Sequence, residues 1–424
     1  MVIMLKKAFG IVVMVWFILA LNHVTLQAAE IDAPVIVVID PGHGGVPGET
    51  EANGGANYHD VYEKDLNLET ALAMKKELEE YQGIEVYITR ENDVEMSLKE
   101  RAEFAKEKNA DMFISIHYNA SADHLFYGSE VWISAFGEFY ANGYGLATHF
   151  MNQFREAGFV DKGIKTRIGE SGSDYYGVIR HCAEFGITGI IVEHCYLDDD
   201  VEFKNVDTVE KQRIFGVRDA VAVAEYYGLD KDSSPEKIVP APDISIPDAP
   251  VLPDDTEPQN IVCSIQSFDE KTGSAQIIIT AEEKESRILY YSYSVDGGKN
   301  FSRLSLWDGE DTMKLEIPIG KETAGTLQVR LYNNYNLKGD SNLISFDYRK
   351  KPQKSDKKES YDLEDAYEIK ILPDGTEETE TTVLTDGTEM IDIVIIILSL
   401  IFFVLAGVFV SLLVAMHWNK KMSR

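Results

Sequence analysis

The stretch Val35–Gly45 has the sequence VIVVIDPGHGG. Its first five residues are β-branched and apolar, which is typical of a buried strand. The glycines that follow permit a tight turn and a close backbone approach to another group. A strand that ends in a glycine-rich loop with a histidine, His43, predicts an open α/β sheet with a site at its carboxyl edge. A lone histidine there would more often be structural, and the Lys-Ser/Thr pair of a phosphate-binding loop does not follow.

Strand-like runs alternate with amphipathic helices from residue 32 to 229. The runs are rich in Val and Ile, and the helices carry Leu and Ala at helical spacing. This alternation predicts an α/β domain with a mixed, largely parallel sheet flanked by helices. The predicted strands are Val35–Asp40, Glu85–Thr89, Met112–His117, Glu130–Ser134 and Ile187–Glu193, and the predicted helices are Lys64–Tyr81, Ser97–Lys108 and Val209–Tyr227.

Three more candidate residues stand at the ends of these elements. His117 and Glu193 each close an apolar strand, and Glu63 stands at the start of a helix. A carboxylate that closes an apolar strand is costly unless it meets a charge or a metal, whereas Glu63 alone would be explained by the helix dipole. Two His and one Glu can form a zinc site with a fourth position for water, and a further Glu can act as a general base.

Six stretches that cover most of residues 34–228 carry a further signal in their order along the chain: IDPGHGG, EKDLNLETALAMKKELE, YITREND, SLKERAEFA, ADMFISIHYNA and IIVEHCYLDD. Taken together, they resemble the zinc-dependent N-acetylmuramoyl-L-alanine amidases of bacterial cell walls. The resemblance implies hydrolysis of the amide between N-acetylmuramic acid and the L-alanine of the stem peptide in peptidoglycan. It implies a single zinc ion bound by His43, Glu63 and His117, with Glu193 as the catalytic carboxylate.

The chain departs from the family pattern at two places. The loop between His43 and Glu63 is longer than usual, and it contains His59. After Glu193, where the family has a small or apolar residue and then Gly-Phe, this chain has His194-Cys195-Tyr196. Neither departure removes a catalytic group, so they bear on specificity rather than on activity.

Glu63 is the third proposed ligand, and its assignment needs a separate argument. His59 competes with it, because residues four apart share one face of a helix. Glu63 begins a helix that an apolar stripe fixes against the sheet, whereas His59 follows Gly54 and Gly55 in a predicted loop. A ligand on a rigid element is held more precisely than one on a loop. The resemblance also places the ligand at Glu63. The other residues that could take the position of the third ligand are Asp60, Asp65 and Glu69.

Two other functions fit the same residues. A zinc peptidase of similar fold would cut peptide bonds of the stem, and it would release different products. A catalytically inactive wall-binding membrane protein would belong to another class altogether. Inactive relatives usually lose a ligand or the catalytic carboxylate, and all four residues are present here.

Several polar residues nearby have less specific roles. Arg167 and Arg180 precede the Glu193 strand and could clamp carboxylates of the stem peptide, although solvated surface arginines are at least as common. We expect Asp40 to orient the His43 loop and Asn119 to be structural. The remaining histidines are interpreted as surface or internally satisfied residues rather than ligands: His59, His124, His181 and His194.

The region after the α/β domain changes character. Residues 231–258 hold more than half of the chain's 13 prolines, which predicts a semi-rigid linker. Residues 259–349 have short strand-like segments separated by turns, with a hairpin signal at Val295–Gly298. This pattern predicts a small β-sandwich of the immunoglobulin or fibronectin kind, whose partner is unknown. Residues 350–390 are polar and acidic, which predicts a disordered stalk.

Both ends of the chain carry targeting signals. Residues 1–29 have Lys6 and Lys7, an apolar run and then Ala28 and Ala29, which predicts a secretory signal peptide. An uncleaved anchor is the alternative. Residues 393–416 are an uncharged run of about 24 residues, long enough to span a bilayer. The basic tail 417–424 predicts a cytoplasmic C-terminus, so we expect a single-pass plasma-membrane protein with an extracytoplasmic ectodomain.

Charge and cysteines restrict the remaining functions. The net charge of −31 over 424 residues argues against nucleic acid as a partner, because phosphate binding needs clustered Lys and Arg. The three cysteines, Cys182, Cys195 and Cys263, cannot all pair within the chain. Buried thiols are favoured over a Cys182–Cys195 disulfide.

Overall fold

The computed structural model describes residues 34–46, 54–233 and 245–349. We refer to residues 34–233 as the α/β domain and to residues 259–349 as the β domain, and both belong to one compact unit. The predicted signal peptide, acidic stalk, transmembrane helix and basic tail lie outside the described residues. Within the described ranges, no helix combines the length and the apolar character that a bilayer crossing demands.

A six-stranded sheet forms the centre of the α/β domain, in the order β4-β1-β5-β8-β6-β7. All neighbouring strands are parallel except β6 and β8, which are antiparallel. The prediction of a mixed, largely parallel sheet is therefore confirmed. The strands are β1 Val35–Pro41, β4 Ile84–Ile88, β5 Met112–Asn119, β6 Ser129–Ile133, β7 Asp161–Lys165 and β8 Thr188–Tyr196, and a short hairpin is formed by β2 Asn57–Tyr58 and β3 Val61–Tyr62.

Helices cover both faces of this sheet. Successive residues of a strand point to opposite faces, so Val37 of β1 packs in one core and Val38 in another. Helices α1, α3 and α6 contribute to the first core, and α2 and α4 contribute to the second. The helices are α1 Glu63–Leu78, α2 Leu98–Glu107, α3 Gly137–Glu156, α4 Gly177–Glu184, α5 Asp200–Phe203 and α6 Val209–Tyr227.

The sequence did not predict α3 or α4. Helix α3 contains Gly143 and Gly145 in its interior, and glycine costs about 1 kcal/mol relative to alanine in a helix. Packing outweighs this cost, because Leu146, Phe150 and Phe154 are fully buried. The predicted boundaries of the other elements differ from the observed ones by a few residues. Helix α6 begins and ends at the predicted residues. All three cysteines are buried and free, as expected.

The β domain consists of antiparallel strands. One sheet has the order β13-β10-β9, and the other joins β12, β11, β14 and β15, with β16 also pairing with β14. Ile277 from the first sheet and Leu327 from the second lie in a common core. The strands are β9 Gln259–Asp269, β10 Ser274–Glu282, β11 Ile288–Ser294, β12 Ser305–Leu306, β13 Thr312–Pro318, β14 Ala324–Asn333, β15 Lys338–Asp340 and β16 Ile344–Asp347.

The described part of the proline-rich connection is bonded to the α/β domain. The Val251 amide donates to the Ala135 carbonyl, and the Thr166 hydroxyl donates to the Val251 carbonyl. Asp254 is 7% exposed. It accepts a hydrogen bond from Asn333 of the β domain at 2.7 Å. A semi-rigid linker was expected from the prolines, and these bonds attach its second half to both domains.

The two domains meet through aromatic side chains. Phe126 and Tyr196 of the α/β domain form one buried cluster with Tyr290 and Tyr332 of the β domain. The Nζ atom of Lys162 lies 5.0 Å from the Phe126 ring centroid and donates to Asn336 Oδ1 at 2.7 Å. Aromatic burial of this kind dominates the energetics of interfaces, so the relative position of the two domains is fixed by packing.

Candidate metal centre

Three candidate ligands from different elements meet at one edge of the sheet. His43 follows β1, Glu63 is the first residue of α1, and His117 lies near the end of β5. His43 Nε2 is 3.2 Å from Glu63 Oε2, and His117 Nδ1 is 2.9 Å from Glu63 Oε1. One ligand atom from each lies within 4.8 Å of the others, and no other such group of three occurs in the described part of the chain. Two His and one Glu match the ligand set of catalytic zinc sites.

Two arginines hold the loop that carries His43. The Nη2 atom of Arg101 donates to the His43 carbonyl at 2.6 Å. Arg90 donates to the Pro41 and Gly42 carbonyls at 2.9 and 2.8 Å. His43 has a φ of 59°, in the left-handed region that a residue with a Cβ rarely adopts. The arginine bonds therefore fix a backbone conformation that the chain would not favour by itself.

Asp40 connects this loop to β5. Its Oδ1 accepts from Arg101 and Thr89, each at 2.6 Å, and its Oδ2 accepts from Ser115 at 2.7 Å. The Ser115 hydroxyl is 3.2 Å from His117 Nε2. Burial opposes ionisation of Asp40, but Arg101 and the two hydroxyls hold its pKa below the ordinary value. Asp40 thus acts as the expected orienting residue, through Arg101 and Ser115.

Glu63 is buried and held by backbone amides. The Ala56 amide donates to its Oε2 at 2.8 Å, and the Tyr118 amide donates to its Oε1 at 3.2 Å. Although burial alone would raise the pKa of Glu63, His43 and His117 hold it well below the usual range. The pKa of His117 is lowered, chiefly by burial and against the influence of Glu63. Both groups therefore favour the protonation states that bind a metal ion.

Two glycines leave room for the candidate ligands. A Cβ atom at Gly42 would lie 2.2 Å from the His117 ring, and one at Gly55 would lie 2.4 Å from Glu63 Oε2 and 2.7 Å from His43 Cδ2. Side chains at these positions would collide with the three residues. The backbone therefore encloses the cluster closely enough to fix its geometry.

Glu193 lies beside this cluster in a cleft. It is the register partner of His117 on the neighbouring strand. Its Oε2 atom is buried and has no hydrogen-bond partner among the described residues. Burial first, and then the charges of Glu63 and Glu130, raise its pKa well above the ordinary value. The cleft has a volume of about 550 Å³, and its lining includes His43, His117, Tyr176 and Glu193.

The other candidate residues lie outside the cluster. His59 and Tyr58 contact Asp200, His124 contacts Asp198, and His181 contacts Glu184. His194 is fully buried. Asn119 donates to Glu130 at 2.9 Å, which is a structural role.

The two candidate arginines have different environments. Arg180 donates to the backbone carbonyls of Asp174 and Tyr175, which indicates a structural role. Arg167 is exposed, and its guanidinium stacks 3.7 Å from the Tyr175 ring centroid. Arg167 is therefore the better placed of the two to meet a carboxylate in solution.

Three charged residues around the site were not predicted from the sequence: Arg101, Glu130 and Lys165. Arg101 lies beside Ala102 on the buried side of α2, and Glu130 and Lys165 form a buried ion pair at 2.6 Å. The sequence contained one signal for Glu130. Along the strand, Glu130 and Trp132 point to one face of the sheet, whereas the apolar Val131 and Ile133 point to the other. The partner of Glu130 could not be identified from spacing, because 35 residues separate it from Lys165.

The fold and the cluster together define a metal-binding α/β protein. Residues 37–225 match the family model described as N-acetylmuramoyl-L-alanine amidase. The resemblance seen in the sequence motifs is thereby confirmed.

Individual relatives share parts of this segment. The chain is 44% identical over 87 residues to the N-acetylmuramoyl-L-alanine amidase CwlM of Bacillus licheniformis, covering 20% of this chain and 32% of that protein. It is 34% identical over 101 residues to AmiC of Escherichia coli, covering 24% and 23%. The catalytic domain of CwlV from Bacillus (Paenibacillus) polymyxa is 27% identical, with 46% of this chain and 99% of that chain covered and a TM-score of 0.39. The chain thus spans a quarter to a third of these two curated relatives.

Proposed function

We propose that this protein is an N-acetylmuramoyl-L-alanine amidase that hydrolyses the bond between N-acetylmuramic acid and the L-alanine of the stem peptide in peptidoglycan. The observation that carries the proposal is the cluster of His43, Glu63 and His117 beside Glu193. It lies in the segment that matches the model of this amidase family. The cleft that His43, His117 and Glu193 line has a volume of about 550 Å³, which is within the range of ligand-binding pockets.

We assign the cluster as a zinc site. His43, Glu63 and His117 would hold the ion, and the close fit of Gly42 and Gly55 around them supports a preformed site. When bound, zinc polarises an amide carbonyl and lowers the pKa of water. An unactivated amide needs both effects, because its carbonyl is a poor electrophile.

Glu193 is the proposed general base. It would accept a proton from the attacking water and pass it to the departing alanine nitrogen. The role requires an ionised carboxylate. In the protein alone, burial and the charges of Glu63 and Glu130 oppose ionisation. A cation bound at Glu63 would offset that repulsion, so metal binding and activation of Glu193 are expected to be linked.

The test is digestion of purified peptidoglycan by the purified full-length protein, with and without a chelator. Mass spectrometry should find stem peptides that begin with L-alanine, together with glycan strands free of peptide. Release of shortened stems with the alanine still attached to the sugar would instead support a zinc peptidase. Absence of any product with metal present would contradict both activities and favour an inactive wall-binding protein.

The arrangement of the whole chain is also a proposal. The sequence supports a signal peptide at 1–29, an amidase domain at 32–229, a linker at 231–258 and an immunoglobulin-like or fibronectin-like sandwich at 259–349. It further supports an acidic stalk at 350–390, a transmembrane helix at 393–416 and a cytoplasmic tail at 417–424. An amidase held outside the plasma membrane in this way would act on the wall that faces it. The two antiparallel sheets of the β domain around one core agree with a sandwich.

A further inference from the structure

Glu130 places a second carboxylate directly beside the proposed general base. It is the register partner of Glu193 across the antiparallel β6–β8 pair. Side chains that face each other in such a pair project from the same side of the sheet, with Cβ atoms about 5 Å apart. Glu130 is 3% exposed, so little water screens the two carboxylates from each other. Like charges at this separation disfavour ionisation of both groups.

Lys165 compensates the negative charge of Glu130. Its Nζ donates to Glu130 Oε2 at 2.6 Å, and the side chain is 1% exposed. The other carboxylate oxygen, Oε1, accepts from Asn119 Nδ2 at 2.9 Å and from Trp132 Nε1 at 3.1 Å. Both carboxylate oxygens of Glu130 are therefore hydrogen-bonded. Asn119 lies two residues after His117, so the same bonds also reach the strand that carries a proposed ligand.

The β domain completes the environment of Lys165. The Asn334 carbonyl accepts a hydrogen bond from Lys165 Nζ. The Tyr335 hydroxyl accepts one from the Thr166 amide at 3.2 Å. The Tyr335 ring centroid lies 5.2 Å from Lys165 Nζ, and the ring centroid of the adjacent Trp132 lies 5.4 Å from the same atom. A buried ammonium needs such partners, because an unpaired charge away from water is very costly.

The loop that supplies these contacts is itself held rigidly. Asn333 Oδ1 accepts from the Tyr335 amide at 3.0 Å and from the Leu337 amide at 2.9 Å. Asn333 is fully buried. A loop fixed in this way presents the Asn334 carbonyl and the Tyr335 ring at a defined place on the catalytic sheet.

We propose that the loop Asn333–Leu337 of the β domain is a positioning element of the active site, which holds Lys165 as the counter-ion of Glu130 beside Glu193. Lys165 and Glu130 are positioning residues for Glu193, and full turnover requires the β domain in its docked place. The role in turnover rests on the proposed function of Glu193. The structural part, in which the loop orders Glu130 and Glu193, does not depend on it.

The first test compares single and double variants of the ion pair in the full-length protein. Lys165→Met leaves Glu130 buried and uncompensated, and we expect kcat to fall at least about tenfold with KM and bound zinc nearly unchanged. Lys165→Met combined with Glu130→Gln removes both charges, and it should recover most of the lost kcat. A parent-like kcat in Lys165→Met, or a double variant no better than the single one, would overturn the proposal.

The second test addresses the contribution of the β domain, and it also covers the case in which Lys165→Met fails to fold. Tyr335→Ala removes the ring over Lys165, whereas Tyr335→Phe retains it. We expect a lower kcat for the first variant and a clearly smaller loss for the second, which keeps the ring and removes only the hydroxyl that accepts from the Thr166 amide. Arg303→Ala is the matched control, because it removes a different contact between the domains, the ion pair with Asp199. It should lower the thermal stability of the protein and leave kcat unchanged.

A readout without turnover separates this inference from the proposed function. Hydrogen exchange of the peptides that contain Glu130 and Glu193 should accelerate in Tyr335→Ala and stay slow in Arg303→Ala. That result would support the positioning role of the loop even if the parent protein released no peptide from peptidoglycan. Equal exchange in Tyr335→Ala and the parent would overturn the inference, whatever the activity.

Discussion

His194 Nε2 lies 2.8 Å from Asp219 Oδ2, and both side chains are fully buried. The other ring nitrogen, Nδ1, is 2.9 Å from the His117 carbonyl. A carbonyl can only accept, so Nδ1 donates to it. A single proton is then left to lie between His194 and Asp219. His194, which follows Glu193 in the chain, is thus bonded to the backbone of His117 through one ring nitrogen and to Asp219 of helix α6 through the other.

Removing the Asp219 carboxylate should destabilise the protein. Asp219→Ala leaves Nε2 of His194 buried without a partner and opens a small cavity, and we expect a loss of about 3 kcal/mol in the free energy of unfolding. Asp219→Asn keeps a hydrogen-bonding group of similar size and should lose less. Denaturant unfolding followed by fluorescence measures the difference, and equal losses in the two variants would show that the hydrogen bond contributes nothing.

Glu193→Gln should abolish most turnover and retain the metal. Glu193 is not in the ligand cluster, so zinc content by elemental analysis should match that of the parent. Loss of a general base typically lowers the rate by about 10² to 10⁴-fold. A rate near that of the parent would rule out the proposed mechanism. Loss of zinc would instead show that Glu193 is a ligand.

Glu63→Ala and His59→Ala should differ in their zinc content. Glu63 contacts both histidines of the cluster, whereas His59 lies 3.2 Å from Asp200 and is half exposed. We therefore expect Glu63→Ala to lose zinc and His59→Ala to keep it. Elemental analysis after dialysis decides between them, and equal zinc in Glu63→Ala and the parent would mean that the wrong third ligand was chosen.

The proposed topology predicts that external protease removes the ectodomain. Protease added to intact, wall-stripped cells should leave a small membrane fragment, because Lys420, Lys421 and Arg424 would remain inside. An antibody to a C-terminal tag detects that fragment, and a cytoplasmic protein serves as the control for intact cells. Full protection of the protein would contradict the topology.

The sequence predicted the cluster of His43, Glu63 and His117 because its signals are local. His43, His117 and Glu193 each close or follow an apolar strand, and the carboxyl ends of parallel strands meet at one edge of a sheet. Neighbouring strands alone therefore bring these side chains together. Glu63 needed the additional argument that the start of a packed helix is rigid.

Contacts between distant segments could not be predicted in this way. The Lys165–Asn334 bond joins residues 169 positions apart. Its formation depends on how the two domains pack, and no periodicity of either segment encodes that packing. Helix α3 was not predicted for a related reason. Its interior glycines weaken the helical pattern of the sequence, and the helix is stabilised by the burial of Phe150 and Phe154 against distant segments.

The backbone of His43 has a consequence for metal capture. A non-glycine residue in the left-handed region costs about 1 to 3 kcal/mol, and the bonds from Arg90 and Arg101 offset that cost when the chain folds. The imidazole is then preorganised before any ion arrives. Uptake of the proposed zinc ion should therefore need little rearrangement of the loop, and its rate should be governed by access to the cleft rather than by a conformational step.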